Sequence, residues 1–120
     1  MNDEAPPAIF DELRGEQLSA VTFVQDFLQL WFDGPGINIT NPLTVVSSSG
    51  NVTTGQPGFR DALCAQIAKI VDTVEIRPSD ALVVRFADAS LFSVSLKPED
   101  YSSAEAFYAH GFANHQWTTG

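Results

Sequence analysis

Over two separate stretches of the chain, apolar side chains recur at every second position, the period that sends alternate residues to opposite faces of a β-strand. In the first stretch Val21 and Phe23 alternate with Thr22 and Val24, and Gln25-Asp26 suits a tight turn. The run from Phe27 to Phe32 sets Leu28, Leu30 and Phe32 on one face and Phe27, Gln29 and Trp31 on the other. Asp33-Gly34-Pro35-Gly36 marks the next turn, through glycine's freedom in φ and proline's rigidity. Ile37 and Ile39 then alternate with Asn38 and Thr40 until Pro42 interrupts, and residues 43–46 resume as an edge strand. In the second stretch Val74 and Ile76 lead to a turn at Pro78-Ser79-Asp80. Leu82, Val84 and Phe86 follow, residues 87–90 turn again, and Phe92, Val94 and Leu96 alternate with Ser93 and Ser95. Each stretch predicts an antiparallel meander.

The two stretches can be laid over one another. Val21-x-Phe23, a turn with Asp26, Leu28-x-Leu30-x-Phe32 and Asp33 correspond to Val74-x-Ile76, a turn with Asp80, Leu82-x-Val84-x-Phe86 and Asp88, with one residue inserted in the later copy. Such a pair suggests an internal duplication about a pseudo-two-fold axis; two unrelated meanders of similar pattern are the rival explanation.

Between the meanders the period changes. Residues 47–58, rich in Ser, Gly, Thr and Asn, read as a long loop. Pro57 suits a first helical turn, and Phe59, Leu63, Ile67 and Ile70 recur at helical spacing, predicting a central helix over about 57–71 that roofs the sheet. After a turn at Lys97-Pro98-Glu99-Asp100, Ser102-x-x-Glu105 matches a capping box, with Ala104, Phe107 and Tyr108 as the apolar side of a short C-terminal helix over about 102–110. Residues 1–8, with Pro6 and Pro7, read as a flexible tail, and 9–120 as a single α+β domain. The expected fold is a curved sheet or partial barrel of two meanders packed by these two helices.

Charge narrows the class of partner. Six Lys and Arg against fifteen Asp and Glu give a formal charge of −9, which repels nucleic acid and anionic membrane and leaves a basic protein partner compatible. Cys64 is the single cysteine, so no intramolecular disulfide can form. The acidic N-terminus does not read as a signal peptide and no apolar run has the length of a membrane helix; the expected location is cytoplasmic.

Little catalytic chemistry stands out. His110 and His115 straddle Gly111, and Cys64 on the expected core-facing helix reads as a small buried thiol, so no metal site and no cofactor are expected. Asp26, Asp33, Asp80 and Asp88 all fall in turns, where the residue type needs no function. If the duplication holds, Asp26 and Asp80 approach one another, and with His110 they form the candidate polar site. Phe27 and Trp31 face away from the Leu28–Leu30–Phe32 row, so that face is either covered by the fold or an aromatic interface. No phosphate loop, HExxH, CxxC or Gly-x-Ser-x-Gly motif occurs.

The segments Val21-Thr-Phe-Val-Gln-Asp-Phe-Leu-Gln-Leu-Trp-Phe-Asp-Gly34 and Phe59-Arg-Asp-Ala-Leu-Cys64, with Leu96-Lys-Pro-Glu-Asp-Tyr101, resemble those of small uncharacterised bacterial proteins. That resemblance implies a bacterial origin and a stand-alone α+β domain, and brings no site residues. The expected function is a non-enzymatic protein-binding or regulatory module, acting as a homodimer through Phe27 and Trp31 or on a basic protein. The alternative is a small-molecule binder or enzyme with its pocket between the helix and the meanders.

Overall fold

A computed structural model describes residues 11–25, 27–33, 35–101, 106–110 and 117–119. The tail expected over 1–8, Asp26 and residues 102–105 of the expected C-terminal helix lie outside them. The first meander is β1 (Ala20–Val24), β2 (Phe27–Trp31) and β3 (Gly36–Ile39); the second is β6 (Val71–Arg77), β7 (Ala81–Phe86) and β8 (Leu91–Ser95). Two hairpins complete the strands: β4 (Leu43–Ser47) with β5 (Gly50–Thr53), and β9 (Phe107–His110) with β10 (Trp117–Thr119). The architecture is mostly β, two five-stranded antiparallel sheets ordered β1-β2-β3-β9-β10 and β6-β7-β8-β4-β5, in place of one curved sheet.

Each sheet is therefore a meander extended by a hairpin, and the hairpins are exchanged. β4–β5 follows the first meander in the chain but pairs with β8, while β9–β10 follows the second but pairs with β3. Pro42 has no N–H to continue the β3 ladder, so the chain leaves the first sheet at Thr40-Asn41-Pro42 and enters the second. The matching corner is Ser95-Leu96-Lys97. Thr40 N–H donates to the Ala106 carbonyl at 2.9 Å, and Ser95 N–H to the Pro42 carbonyl at 3.0 Å, the same bond made once in each direction.

The correspondence between the two halves runs through both meanders and the segments ahead of them. Val21 pairs Leu30 and Phe23 pairs Leu28, as Val74 pairs Val84 and Ile76 pairs Leu82. Leu30 and Leu28 then meet Ile37 and Ile39, as Val84 and Leu82 meet Phe92 and Val94. The second copy is longer by one residue in its first turn, where Pro78-Ser79-Asp80 stands for Gln25-Asp26, and by one more in its second, where the four residues 87–90 stand for the three residues 33–35. The segments ahead of the meanders bond to each other symmetrically. Gly15 N–H reaches the Val71 carbonyl and Ala68 N–H the Leu18 carbonyl, both at 2.8 Å; Val71 N–H reaches Glu16 at 2.9 Å and Leu18 N–H reaches Lys69 at 3.0 Å. Even the backbone twist repeats, with φ of 85° at Gly15 and 83° at Ala68. The two halves thus share one backbone pattern about a pseudo-two-fold axis.

The inward rows behave as the alternation requires. Leu28, Leu30, Phe32, Ile37 and Ile39 from one sheet and Leu82, Val84, Phe86, Phe92 and Val94 from the other join one buried cluster. Burying side chains of this size stabilises by about 1.5–3 kcal/mol each. Phe86 and Phe92 meet edge-to-face at 5.1 Å.

Four expectations need correction. The central helix shrinks to α1 (Phe59–Cys64): Phe59 and Leu63 are buried, but Ile67 and Ile70 are 37% and 41% exposed. The chain leaves the helix because residues 68–71 give their backbone groups to residues 15–18, a pairing that β-branched Ile70 and Val71 suit. Residues 107–110 are a strand, since β3 offers an open edge on which Phe107 and Ala109 turn inward and Tyr108 outward. The 47–58 loop contains β5, joined to β4 by the two-residue turn Ser48-Ser49. β4 itself is no edge strand, lying between β5 and β8. Among the described residues no helix is long and apolar enough to cross a membrane.

Candidate functional site

The corner where the chain changes sheets buries a polar side chain. Asn41 is 3% exposed; its Nδ2 donates to the Ser95 carbonyl at 2.8 Å, tying one crossover to the other. Its Oδ1 is buried and has no hydrogen-bond partner among the described residues. The opposite amide orientation would set Oδ1 against the Ser95 carbonyl, so the bond fixes which atom is left over. A buried acceptor without a partner costs about 1–3 kcal/mol. The matching position in the second copy is Leu96, buried and apolar, so the fold itself does not need an amide there.

Asn41 lines a cleft of about 290 Å³ between the β1–β2 hairpin, the β5–α1 loop and α1. Phe23, Phe27, Leu28, Ile39 and Phe59 supply its apolar wall, and Gln25, Thr40, Thr54 and Arg60 its polar rim. The position follows from local structure. The hairpin carries Phe23 and Phe27 at the strand ends beside its turn, and α1, packed inward by Phe59 and Leu63, turns Arg60 outward toward it. The Arg60 guanidinium lies over the Phe23 ring, 4.9 Å from its centre. Stacking there holds the cation by the ring's negative face. Among the described residues Arg60 has no ion pair; the two that form are Lys69–Asp88 and Arg77–Glu75. A second recess of about 300 Å³ on the α1 side shares Gly55, Phe59 and Arg60 with the cleft and is also lined by Asp61.

A different polar group is buried at the other end of the molecule. Gln66, 1% exposed, donates from Nε2 to Ser90 Oγ at 2.8 Å and accepts from Lys69 Nζ at 2.9 Å. Ser90 Oγ donates to Asp88 Oδ1, and Lys69 pairs with Asp88 Oδ2 at 2.7 Å. The hydrogen bond from Lys69, then those from the Ser90 hydroxyl and Ser90 N–H, hold the Asp88 carboxyl well below the usual carboxylate range. Every member is paired, and the group fastens the β7–β8 turn to residues 66–69.

The site residues expected from the sequence are dispersed. Phe27 lines the cleft, while Trp31 lies two residue pairs along the same outward face of β2, half-buried. Asp26 lies outside the described residues. Asp80 sits exposed in the β6–β7 turn of the second sheet, and His110 is on β9 in the first. Cys64 is exposed, contrary to the buried thiol expected, because the helix stops there and turns its last residue to solvent. Among the described residues no three His, Cys, Asp or Glu gather as a metal would need. Asn41 and Arg60 escaped notice since an Asn before Pro reads as a turn and an Arg on a helix as its wet face. Laying Asn41 against Leu96 in the repeat is the signal that finds the first.

Compared with protein-family models, with curated proteins and with solved structures, the chain matches none. No fold or activity comes to it by likeness.

Proposed function

We propose that the chain is a non-enzymatic binding module that takes a small molecule in the cleft between α1 and the first meander. The observation carrying this is the break in internal symmetry at Asn41. One copy closes the corner with leucine; the other places there a buried acceptor beside aromatic walls and a cation without a counter-ion among the described residues. A buried polar group left unpaired calls for a partner from outside the chain, a water or a ligand, and this one belongs to a residue that lines a cleft. The lining supplies recognition groups and no base placed beside a nucleophile, which favours binding over turnover.

The test is a fragment screen by amide NMR on the full chain, beside Gln25→Trp, which fills the mouth from an exposed turn. Fragments are expected to shift the amides of Phe23, Phe27 and Arg60, and to lose that effect in the variant. Shifts scattered over the surface, or indifferent to the tryptophan, would overturn the reading. Shifts at Phe27 and Trp31 that follow protein concentration alone would favour the homodimer instead.

A further inference from the structure

Resting on that reading, we infer the class of ligand: a small organic acid with an apolar ring, whose anionic group meets Arg60 and whose hydroxyl or N–H reaches Asn41 Oδ1. Size comes first. A cleft of about 290 Å³ is at the small end of ligand sites, which run from roughly 300 to 1,000 Å³, and suits one substituted ring. Its walls are Phe23, Phe27 and Phe59 with Leu28 and Ile39, so the body entering it is apolar.

Charge comes second. The chain carries −9 overall, so an anion is drawn to this surface only where a cation stands forward. Arg60 does on the cleft side: it has no ion pair among the described residues, its guanidinium is held on Phe23, and it lines the cleft, whereas the second hollow is lined by Asp61 as well. The planar fork suits a carboxylate, which it can grip through two parallel bonds.

The donor comes third. Oδ1 of Asn41 can only accept, and its amide orientation is fixed by the bond to Ser95. Asn41 lines the cleft while Oδ1 itself is covered, so a ligand donor makes this bond, which no described protein group makes, on uncovering the side chain, and a second acceptor gains nothing there. The cleft therefore reads three features together: anion, ring and donor.

Three related probes separate the features: 3-(4-hydroxyphenyl)propanoate, its neutral amide 3-(4-hydroxyphenyl)propanamide, and 3-phenylpropanoate, which lacks the hydroxyl. Each is titrated against the ¹⁵N-labelled full chain, Arg60→Gln and Asn41→Leu. The hydroxy acid is expected to bind tightest. Loss of either the charge or the hydroxyl weakens it by about tenfold, the scale of one good polar contact. The charge effect should vanish in Arg60→Gln and the hydroxyl effect in Asn41→Leu. Equal binding of all three at the cleft amides overturns the ligand class and leaves the cleft as a site. No response at those amides from any probe, together with silence in the fragment screen, overturns both.

Discussion

Asn41 and Gln66 are the two amide side chains buried among the described residues, and each stands where the other copy has leucine, Leu96 and Leu13 respectively. Glu16 N–H bonds to the Leu13 carbonyl as Lys69 N–H bonds to Gln66, which aligns the second pair. Each half thus has a buried amide where the other has a buried leucine, with opposite results. Gln66 is built into a closed cluster in which its own donor and acceptor are used and Ser90, Lys69 and Asp88 bond to one another. Asn41 keeps an acceptor unused at the edge of a cleft. The same chemical step is structural in one half and, as proposed above, reserved for a ligand in the other. A repeat supplies its own control: what both copies share belongs to the fold, and what only one has asks for another reason.

The largest effect should come where the copies agree. Phe32 and Phe86 occupy matching places after the second strand, both fully buried, and their N–H groups close matching turns to Pro35 and Ser90 at 2.8 Å. Truncating either phenylalanine to alanine should cost about 3–5 kcal/mol. The two costs should agree within about 1 kcal/mol, well inside the spread usual for large-to-small changes in protein cores. Urea unfolding of the two variants measures this. A cost at one position less than half that at the other would mean that the halves share a topology without sharing a core.

Next in size is the contrast between the amides. Asn41→Leu copies the other half and removes the unpaired acceptor, so it should raise stability by about 1 kcal/mol despite losing the bond to Ser95. Gln66→Leu also copies the other half, but it strips two bonds from a closed cluster and should lower stability by about 1–2 kcal/mol. Opposite signs in thermal unfolding are the expected result; two losses would make Asn41 a structural residue after all. Acid should separate them further. The Asp88 carboxyl titrates lower in the folded chain than in the unfolded one. Its contribution is thus whole above the ordinary carboxylate value and is lost as pH falls below it toward the depressed folded value. Asp88→Asn should flatten that acid limb, and Asn41→Leu should leave it unchanged.

Much of this was legible in the sequence, for reasons that also set the limit. Alternation reports which face a residue takes, so the rows Leu28–Leu30–Phe32, Leu82–Val84–Phe86 and Phe92–Val94 were readable, as was the likeness of the two stretches with the first of their two length differences. Alternation does not report which strand is the neighbour. The exchanged hairpins depend on partners far along the chain (Leu43 beside Val94, Phe107 beside Ile39) and left no local trace. β5 was hidden because Gly50-Asn-Val-Thr53 points only Val52 at the core. The helix was overdrawn because Ile67 and Ile70 fit its period and also suit extended backbone. Residues 107–110 misled in the opposite sense, since a short aromatic run with a capping signal ahead of it suits either period. The alternative reading set a pocket between the helix and the meanders, and a cleft lies between α1 and the first meander with a lining that the sequence did not suggest. Asp26, Asp80 and His110 were preferred for their chemistry, whereas the groups brought together are Asn41 and Arg60.

The smallest test reads the repeat in the backbone alone. Gly15 and Ala68 share a left-handed φ, 85° and 83°, and form the same bond to the opposite segment, but only one of them is glycine. A left-handed alanine costs about 1–2 kcal/mol, offset in part by the smaller entropy that alanine loses on folding, worth about 0.5–1 kcal/mol relative to glycine. A Cβ at Gly15 meets nothing within 4 Å, so Gly15→Ala should show the backbone term free of any clash and lower stability by about 0.5–1 kcal/mol. Ala68→Gly should raise it by a similar amount, and the double variant, which merely exchanges the residues between the copies, should return close to the starting stability. The two sites are hydrogen-bonded to the same pair of segments, so a double variant that departs from the sum by more than about 0.5 kcal/mol would show the two turns acting as one coupled joint on the pseudo-axis. Additivity would show instead that each copy carries its own turn as an independent inheritance.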